Sequence, residues 1–259
     1  MKIHVFAVRY REDIKPFLDN YYTFDDESIK LTIINNHGVL EREHYQEYNY
    51  EIINNSLRPD FSTGHLARNW NQAIINGFQN LNNPSVDYVV CVQIDSILSK
   101  DWHKNLISLL TQNPSLEYAC LGMGDEFQVF TPAIVKKVGL YDERYCNIGY
   151  QEADYFLRVL NRSPETALIN DVHHGRIING LKISSEQFAN IVVYEDYKVT
   201  NDDHYKSMAH HSVSLGIFRY KWGNVRPEHW INTDVDTTCK EFRYYPYFEK
   251  DINSEIYIV

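Results

Sequence analysis

The sequence predicts an α/β fold: a mixed, mainly parallel central sheet flanked by helices, Rossmann-like in its first half. Three observations predict it. Short apolar runs alternate with amphipathic stretches through the first part of the chain, which implies crossover connections between parallel strands. Leu66, Trp70, Ala73, Ile74, Gly77 and Phe78 recur at helical spacing, giving one helix with a single apolar face. The apolar run Cys91–Leu98 reads as a buried strand that delivers a lone carboxylate, Asp95, at its end, where an open α/β sheet places its ligands.

In chain order, Lys2–Val8, Lys30–Asn35, Tyr50–Ile53 and Asp87–Gln93 read as strands, and the amphipathic helix lies behind Gly64 between the last two. After Asp95 the rhythm changes. Ser99 is placed to cap a helix from Asp101 to about Leu110, and strands follow near Leu116–Leu121 and Gln128–Phe130. Thr131-Pro132 opens and Gly139 closes a short helix, Ala133–Val138. An acidic cluster, Gly149-Tyr150-Gln151-Glu152-Ala153-Asp154, leads into a helix-like run, Tyr155–Leu160, and Ala167–Asn170 should be another strand. The expected organisation is one domain with a nucleotide-binding half, 1–98, and an acceptor-binding half, 99–190, hinged at Asp95. A wrap or lid, 191–259, rich in Tyr, Asp, His and Trp, completes it.

The 259 residues suffice for a substantial core. A formal net charge of −10 argues against a nucleic-acid partner, because phosphate backbones are bound by neutralising them with Lys and Arg. Any phosphate ligand needs a metal or backbone amides. The four cysteines, Cys91, Cys120, Cys146 and Cys239, show neither close pairing nor zinc spacing, so a reducing cytoplasm is the expected location. Met1–Val8 is too short and wrongly flanked for a signal peptide, and no apolar run is long enough to span a bilayer.

Two carboxylate sites, Asp95 and the Glu152/Asp154 cluster, suit a metal-held leaving group and a general base. Read as residues alone, each has a plainer alternative. Asp95 at a strand end can cap a turn. Acidic residues in a first helical turn are favoured by the helix dipole, and Asp154 with Arg158 makes an ordinary i, i+4 pair. Two adjacent histidines, His173 and His174, follow the strand at Ala167–Asn170 and would point to opposite faces if it continued.

Several segments taken together resemble the GT-A-fold glycosyltransferases, especially the inverting family 2 type that uses nucleotide sugars. They are the strand His4–Tyr10, the strand end Ile34–Gly38, the stretch Gly64–Asn71 and Gln93-Ile94-Asp95. Val138–Glu143, Gly149–Asp154 with Arg158, His173-His174-Gly175 and Lys221-Trp222-Gly223 complete the series. Their order and spacing cover about the first 225 residues. The resemblance implies transfer of one sugar from a nucleotide diphosphate sugar, UDP- or GDP-linked, to a glycan or other hydroxyl acceptor.

It further implies that Asp95 coordinates Mn2+ or Mg2+ bridging the donor diphosphate, with His173 or His174 reaching the metal or a phosphate. Glu152 is the implied base that takes the acceptor's proton, with Asp154 as the second choice. Arg9 and Tyr10 flank the nucleobase, Arg68 and Asn69 lie near the diphosphate, and Trp222 belongs to the closing segment, as a core anchor more than as a sugar platform. For Arg68 the other reading is an exposed helix residue.

The chain departs from the family at two positions. Gln93 stands where an Asp is usual, so it orients ribose or phosphate, or satisfies backbone groups. Asn35 stands where many relatives place an acidic residue against the base, and the resemblance implies that it hydrogen-bonds the nucleobase with altered preference. The missing carboxylate motivates a rival, a non-catalytic sugar-nucleotide or glycan-binding module. A nucleotidyltransferase, the other rival, would need a glycine-rich loop after the first strand, and Arg9-Tyr10-Arg11-Glu12 contains no glycine.

Overall fold

The computed structural model describes residues 1–10, 13–23, 27–55, 65–145, 149–172, 175–193 and 208–223. Among them, eight strands form one sheet: β1 (Ile3–Arg9), β2 (Ile29–Asn35), β3 (Glu51–Asn54), β4 (Tyr88–Gln93), β5 (Tyr118–Gly122), β6 (Phe127–Phe130), β7 (Ala167–Asp171) and β8 (Arg176–Asn179). Their spatial order is β3-β2-β1-β4-β6-β5-β7-β8. The first four run parallel. β6 is antiparallel to β4 and to β5, β5 is parallel to β7, and β8 turns back on β7.

This order decides where chemistry collects. β1, β2, β4, β5 and β7 all end at the same edge of the sheet, and β6 and β8 begin there. The strand order reverses at β1 and β4, and an open α/β sheet binds ligands in the crevice outside such a switch point. The register sets Arg9 opposite Asn35 and Gly122 opposite Asp171 at that edge.

The helices are α1 (Lys15–Tyr21), α2 (His65–Phe78), α3 (Trp102–Gln112), α4 (Pro132–Val138), α5 (Tyr150–Arg162) and α6 (Met208–Trp222). Alternation along the strands builds two cores. Ile3, Val5, Ala7, Val90 and Val92 face α1 and α3, whereas Phe6, Val8, Val89 and Cys91 face α2, α4 and α5. Each fully buried large side chain, Trp70 and Trp102 among them, contributes about 1.5–3 kcal/mol. Gly77 lets α2 lie close on β4: a Cβ there would stand 2.3 Å from Val89 Cγ2.

α5 is buried over Tyr150–Val159 because it lies between the sheet and α6. Tyr155, Phe156 and Val159 meet the sheet-side core, while Tyr150, Ala153 and Leu157 pack on Phe218 and Trp222 of α6. α4 is capped as its sequence indicates, with Thr131 accepting from the Ile134 amide and Gly139 closing it. α3 is not capped by Ser99. Asp101 holds the cap position without a side-chain bond, because the Ser99 hydroxyl donates to the Asn190 carbonyl, across the Leu98–Val192 bridge that ties this turn to the chain beyond β8. No helix among the described residues is long and apolar enough to cross a membrane.

Candidate active site

The carboxyl edge gathers most of the residues singled out above. Asp95 lies in the turn after β4, half-buried, where the Ser96 amide closes on the Gln93 carbonyl at 3.0 Å. The Gln93 side chain does not reach outward: Nε2 donates to Asp125 Oδ1 at 3.1 Å. Asp125 sits in the Met123–Glu126 turn between β5 and β6. It gathers donors from three elements, with Trp70 Nε1 from α2 at 2.7 Å and Gln151 Nε2 from α5 at 3.5 Å joining Gln93.

Glu152, in the first turn of α5, enters the same cluster. Its carboxylate accepts from Arg176 Nη2 of β8 at 3.1 Å, and Arg176 Nε lies 3.1 Å from Asp171 Oδ2 at the end of β7. Asp171 Oδ1 accepts from the Gly124 amide at 3.0 Å. Gly124 is left-handed (φ 59°), and a Cβ on it would come within 2.5 Å of Glu152 Oε2, so the glycine makes room for the carboxylate. All three acids and Arg176 are buried.

Electrostatics follow from that crowding. Burial raises the Glu152 carboxyl well above the ordinary range, Asp125 and Asp171 raise it further, and Arg176 opposes them. Burial likewise raises Asp125, against hydrogen bonds from Trp70, Gln151 and Glu152. Both carboxyls are thus raised by the same burial, and Asp125 adds to the rise of Glu152. Glu126 is pushed up to about 7, by burial first and by the nearby Asp95, against its bond from the Met123 amide at 2.8 Å.

Three expectations need correction. The Asn35 amide is wholly used inside the protein: Oδ1 accepts from Arg9 Nη1 (2.6 Å) and the His37 amide (3.3 Å), and Nδ2 donates to the Gly38 carbonyl (3.0 Å) and Asn54 Oδ1 (2.7 Å). At 0% exposure it organises the strand ends and has no bond left for a nucleobase. Asp154, also at 0% exposure, faces away from the edge and is held by Arg158 Nε (2.9 Å), Lys221 Nζ (2.6 Å) and Trp222 Nε1 (2.8 Å). A carboxylate so engaged is a structural ion, not a second base. Trp222 is correspondingly a buried anchor of α6 on α5, in keeping with the core-anchor reading favoured for it. Gln93 Nε2 is tied to Asp125, a side-chain partner that neither reading of this residue expected.

Arg9 donates to Asn35 and to the His37 carbonyl, and Tyr10 approaches the His37 ring at 6.4 Å, so both line the edge beside β2. Arg68 is half-exposed and pairs with Glu143 at 3.1 Å, an interaction that Asn71 supports from the other carboxylate oxygen at 2.9 Å. Asn69 is buried, and its Oδ1 has no hydrogen-bond partner among the described residues. Gln151 Oε1 is in the same condition. His173 and His174 lie outside the described residues, as does most of the expected wrap or lid.

Sequence reasoning missed Asp125, Glu126, Asp171 and Arg176. The available signal was Gly122-Met123-Gly124-Asp125-Glu126, an acidic pair behind two glycines between two readable strands.

No family model matches the sequence, and no curated protein matches it. Among solved structures, the chain is similar to the mannosyltransferase PcManGT from Pyrobaculum calidifontis, in complex with GDP-Man and Mn2+, at 12% identity, with 66% of this chain and 57% of that one covered and a TM-score of 0.42. It is similar to residues 1–349 of TarS from S. aureus, in complex with UDP-GlcNAc, at 10% identity, 89% and 69% coverage and a TM-score of 0.48. The glycosyltransferase GlyE of Streptococcus pneumoniae TIGR4 gives 9% identity, 84% and 62% coverage and a TM-score of 0.37. The chain thus spans just over half the length of the first of these.

Proposed function

We propose that the protein is an inverting glycosyltransferase that moves one sugar from a UDP- or GDP-linked donor to a hydroxyl of a glycan or other acceptor. The observation that carries this reading is that Asp95 and Glu152, from distant parts of the chain, both stand at the carboxyl edge of one sheet, Asp95 beside its switch point and Glu152 over the β5–β8 side. One carboxylate is half-exposed and suited to a cation. The other is buried, electrostatically raised and suited to a proton.

Glu152 takes the acceptor proton as that hydroxyl attacks the anomeric carbon, the carbon–oxygen bond to the diphosphate breaks, and the configuration inverts in a single displacement. Burial and Asp125 make it a stronger base than an ordinary carboxylate, and Arg176, paired with it at 3.1 Å, opposes that rise and holds the carboxylate in place. Asn69 Oδ1 and Gln151 Oε1, buried acceptors without donors among the described residues, suit hydroxyls of the bound sugars, since an unmet buried acceptor costs about 1–3 kcal/mol.

The residues fit a divalent cation delivered with its substrate. Among the described residues no three His, Cys, Asp or Glu side chains are arranged to hold a metal alone. Mg2+-type sites commonly combine one or two carboxylates with substrate phosphates, and Asp95 supplies the carboxylate; His173 or His174 is the proposed further ligand. Bound there, Mn2+ or Mg2+ supplies neutralisation of the charge on the departing diphosphate.

The test is nucleotide release from UDP-, GDP- and dTDP-sugars with Mn2+, Mg2+ or EDTA, for wild type and Glu152→Ala, with donor binding measured in parallel. Metal-dependent release that Glu152→Ala loses supports the proposal. Binding without release across plausible acceptors supports the rival reading, a non-catalytic sugar-nucleotide module, which the engagement of Gln93 by Asp125 favours.

A further inference from the structure

α6 is a poor candidate for attachment by apolar packing alone. Its apolar residues are spread around the helix, and Val213 and Tyr220 are exposed. Its last turn is fixed by Trp222, which packs on α5 and donates to Asp154 Oδ1 at 2.8 Å, and by Lys221, whose buried ammonium lies 2.6 Å from Asp154 Oδ1 and 3.0 Å from Asp142 Oδ2. Neither carboxylate needs this cation for charge balance. Asp154 already holds Arg158 of its own helix at 2.9 Å, and Asp142 holds Arg144 of its own turn at 2.7 Å. Lys221 is thus an additional cation from a third element that touches both acids.

Its effect is geometric. The Asp142 turn, α5 and α6 are drawn to one point, and that point is on Asp154, two residues from Glu152 in the opening turns of α5. A shift of those turns moves Glu152 with them.

We propose that Lys221 is a positioning residue: a staple between α6, the Asp142 turn and α5 that sets where Glu152 stands relative to the acceptor hydroxyl. The inference rests on Glu152 being the base, and its test is built to separate the two. Lys221→Met keeps the aliphatic stem and leaves each acid its own arginine, so the protein folds. Two readouts follow: amide hydrogen exchange over residues 150–157, and kcat and KM for nucleotide release from the donor that wild type turns over.

The expected result is exchange faster by about tenfold or more in that segment, with kcat down about tenfold to a hundredfold and donor KM unchanged. Phe218→Ala, which removes apolar contact from α6 but leaves the ammonium seated, lowers the melting temperature and spares kcat. Should Lys221→Met not fold, Lys221→Gln, which keeps hydrogen bonds and drops the charge, shows the same changes at smaller size. Unchanged exchange over 150–157 overturns the staple. So does a kcat loss that merely follows the melting temperature across the Lys221 and Phe218 variants. If wild type releases nucleotide from no donor, the glycosyltransferase reading fails, and the exchange result alone still decides whether the staple exists.

Discussion

Glu152→Gln separates chemistry from stability most sharply, because the structure gives the two effects opposite signs. The amide is isosteric, so the contact with Gly124 survives, and Arg176 is not stranded because Asp171 remains 3.1 Å from its Nε. The penalty of about 3–5 kcal/mol for breaking a buried ion pair therefore does not apply in full.

The sign of the pH effect follows from the raised carboxyl. Between the unfolded value of 4.5 and the higher folded value, the native state holds more protons than the unfolded one, so wild-type stability falls as pH rises. The Glu152→Gln protein lacks this slope, so its advantage in melting temperature widens with pH. Activity moves the other way: loss of a general base lowers turnover by about 10²–10⁴-fold, a barrier increase of about 2.7–5.4 kcal/mol. The assay pairs initial rates of nucleotide release with thermal melts from about pH 5 to about pH 9. Turnover within about threefold of wild type would refute the base, since general-base losses start near a hundredfold. A melting difference that shrinks as pH rises would refute the electrostatic account.

Glu126→Gln removes a carboxyl raised from 4.5 to about 7, which corresponds to about 3 kcal/mol; melts should show the decline in stability between those pH values flattened. Asp154→Asn takes from Arg158 its buried carboxylate partner and leaves Lys221 with Asp142 alone of its two acids, and should cost about 3–5 kcal/mol, lowering the melting temperature by roughly 6–20 °C; lost activity at an unchanged melting temperature would instead return Asp154 to the role of base. Gly124→Ala sets a methyl within 2.5 Å of Glu152 Oε2 at a left-handed position, so kcat should fall while donor binding, followed by calorimetry, persists. Asp95→Ala should abolish metal-dependent release and leave the circular dichroism and melt of the wild type.

Much of the scaffold was legible because single segments carry it. The strands at Lys2–Val8, Lys30–Asn35, Tyr50–Ile53 and Asp87–Gln93 fall within a residue of β1 to β4 at every end, since each is an apolar run closed by polar residues. α2 announces itself by its period, and α4 by Thr131-Pro132 and Gly139. Asp95 and Glu152 were legible as strand-end and helix-start acids. Their surroundings were not. Asp125, Asp171 and Arg176 join Glu152 only because β6 and β5 lie between β4 and β7, and no local pattern states that order. Asp154 looked like Glu152 in sequence; what distinguishes them is α6, which covers one and not the other. Asn35 looked open to a ligand because neither Arg9 nor Asn54, which saturate it, is near it in the chain.

Central to this account is a single displacement at the anomeric carbon with Glu152 as the base. The most direct measurement lets water stand in for the acceptor and records, by proton NMR before mutarotation, which anomer is released first from an α-linked nucleotide sugar with Mn2+ present. The account predicts the β-anomer from wild type and release slowed about a hundredfold or more in Glu152→Gln. Release of the α-anomer, or no cleavage of a donor shown to be bound in the presence of any acceptor, would contradict it.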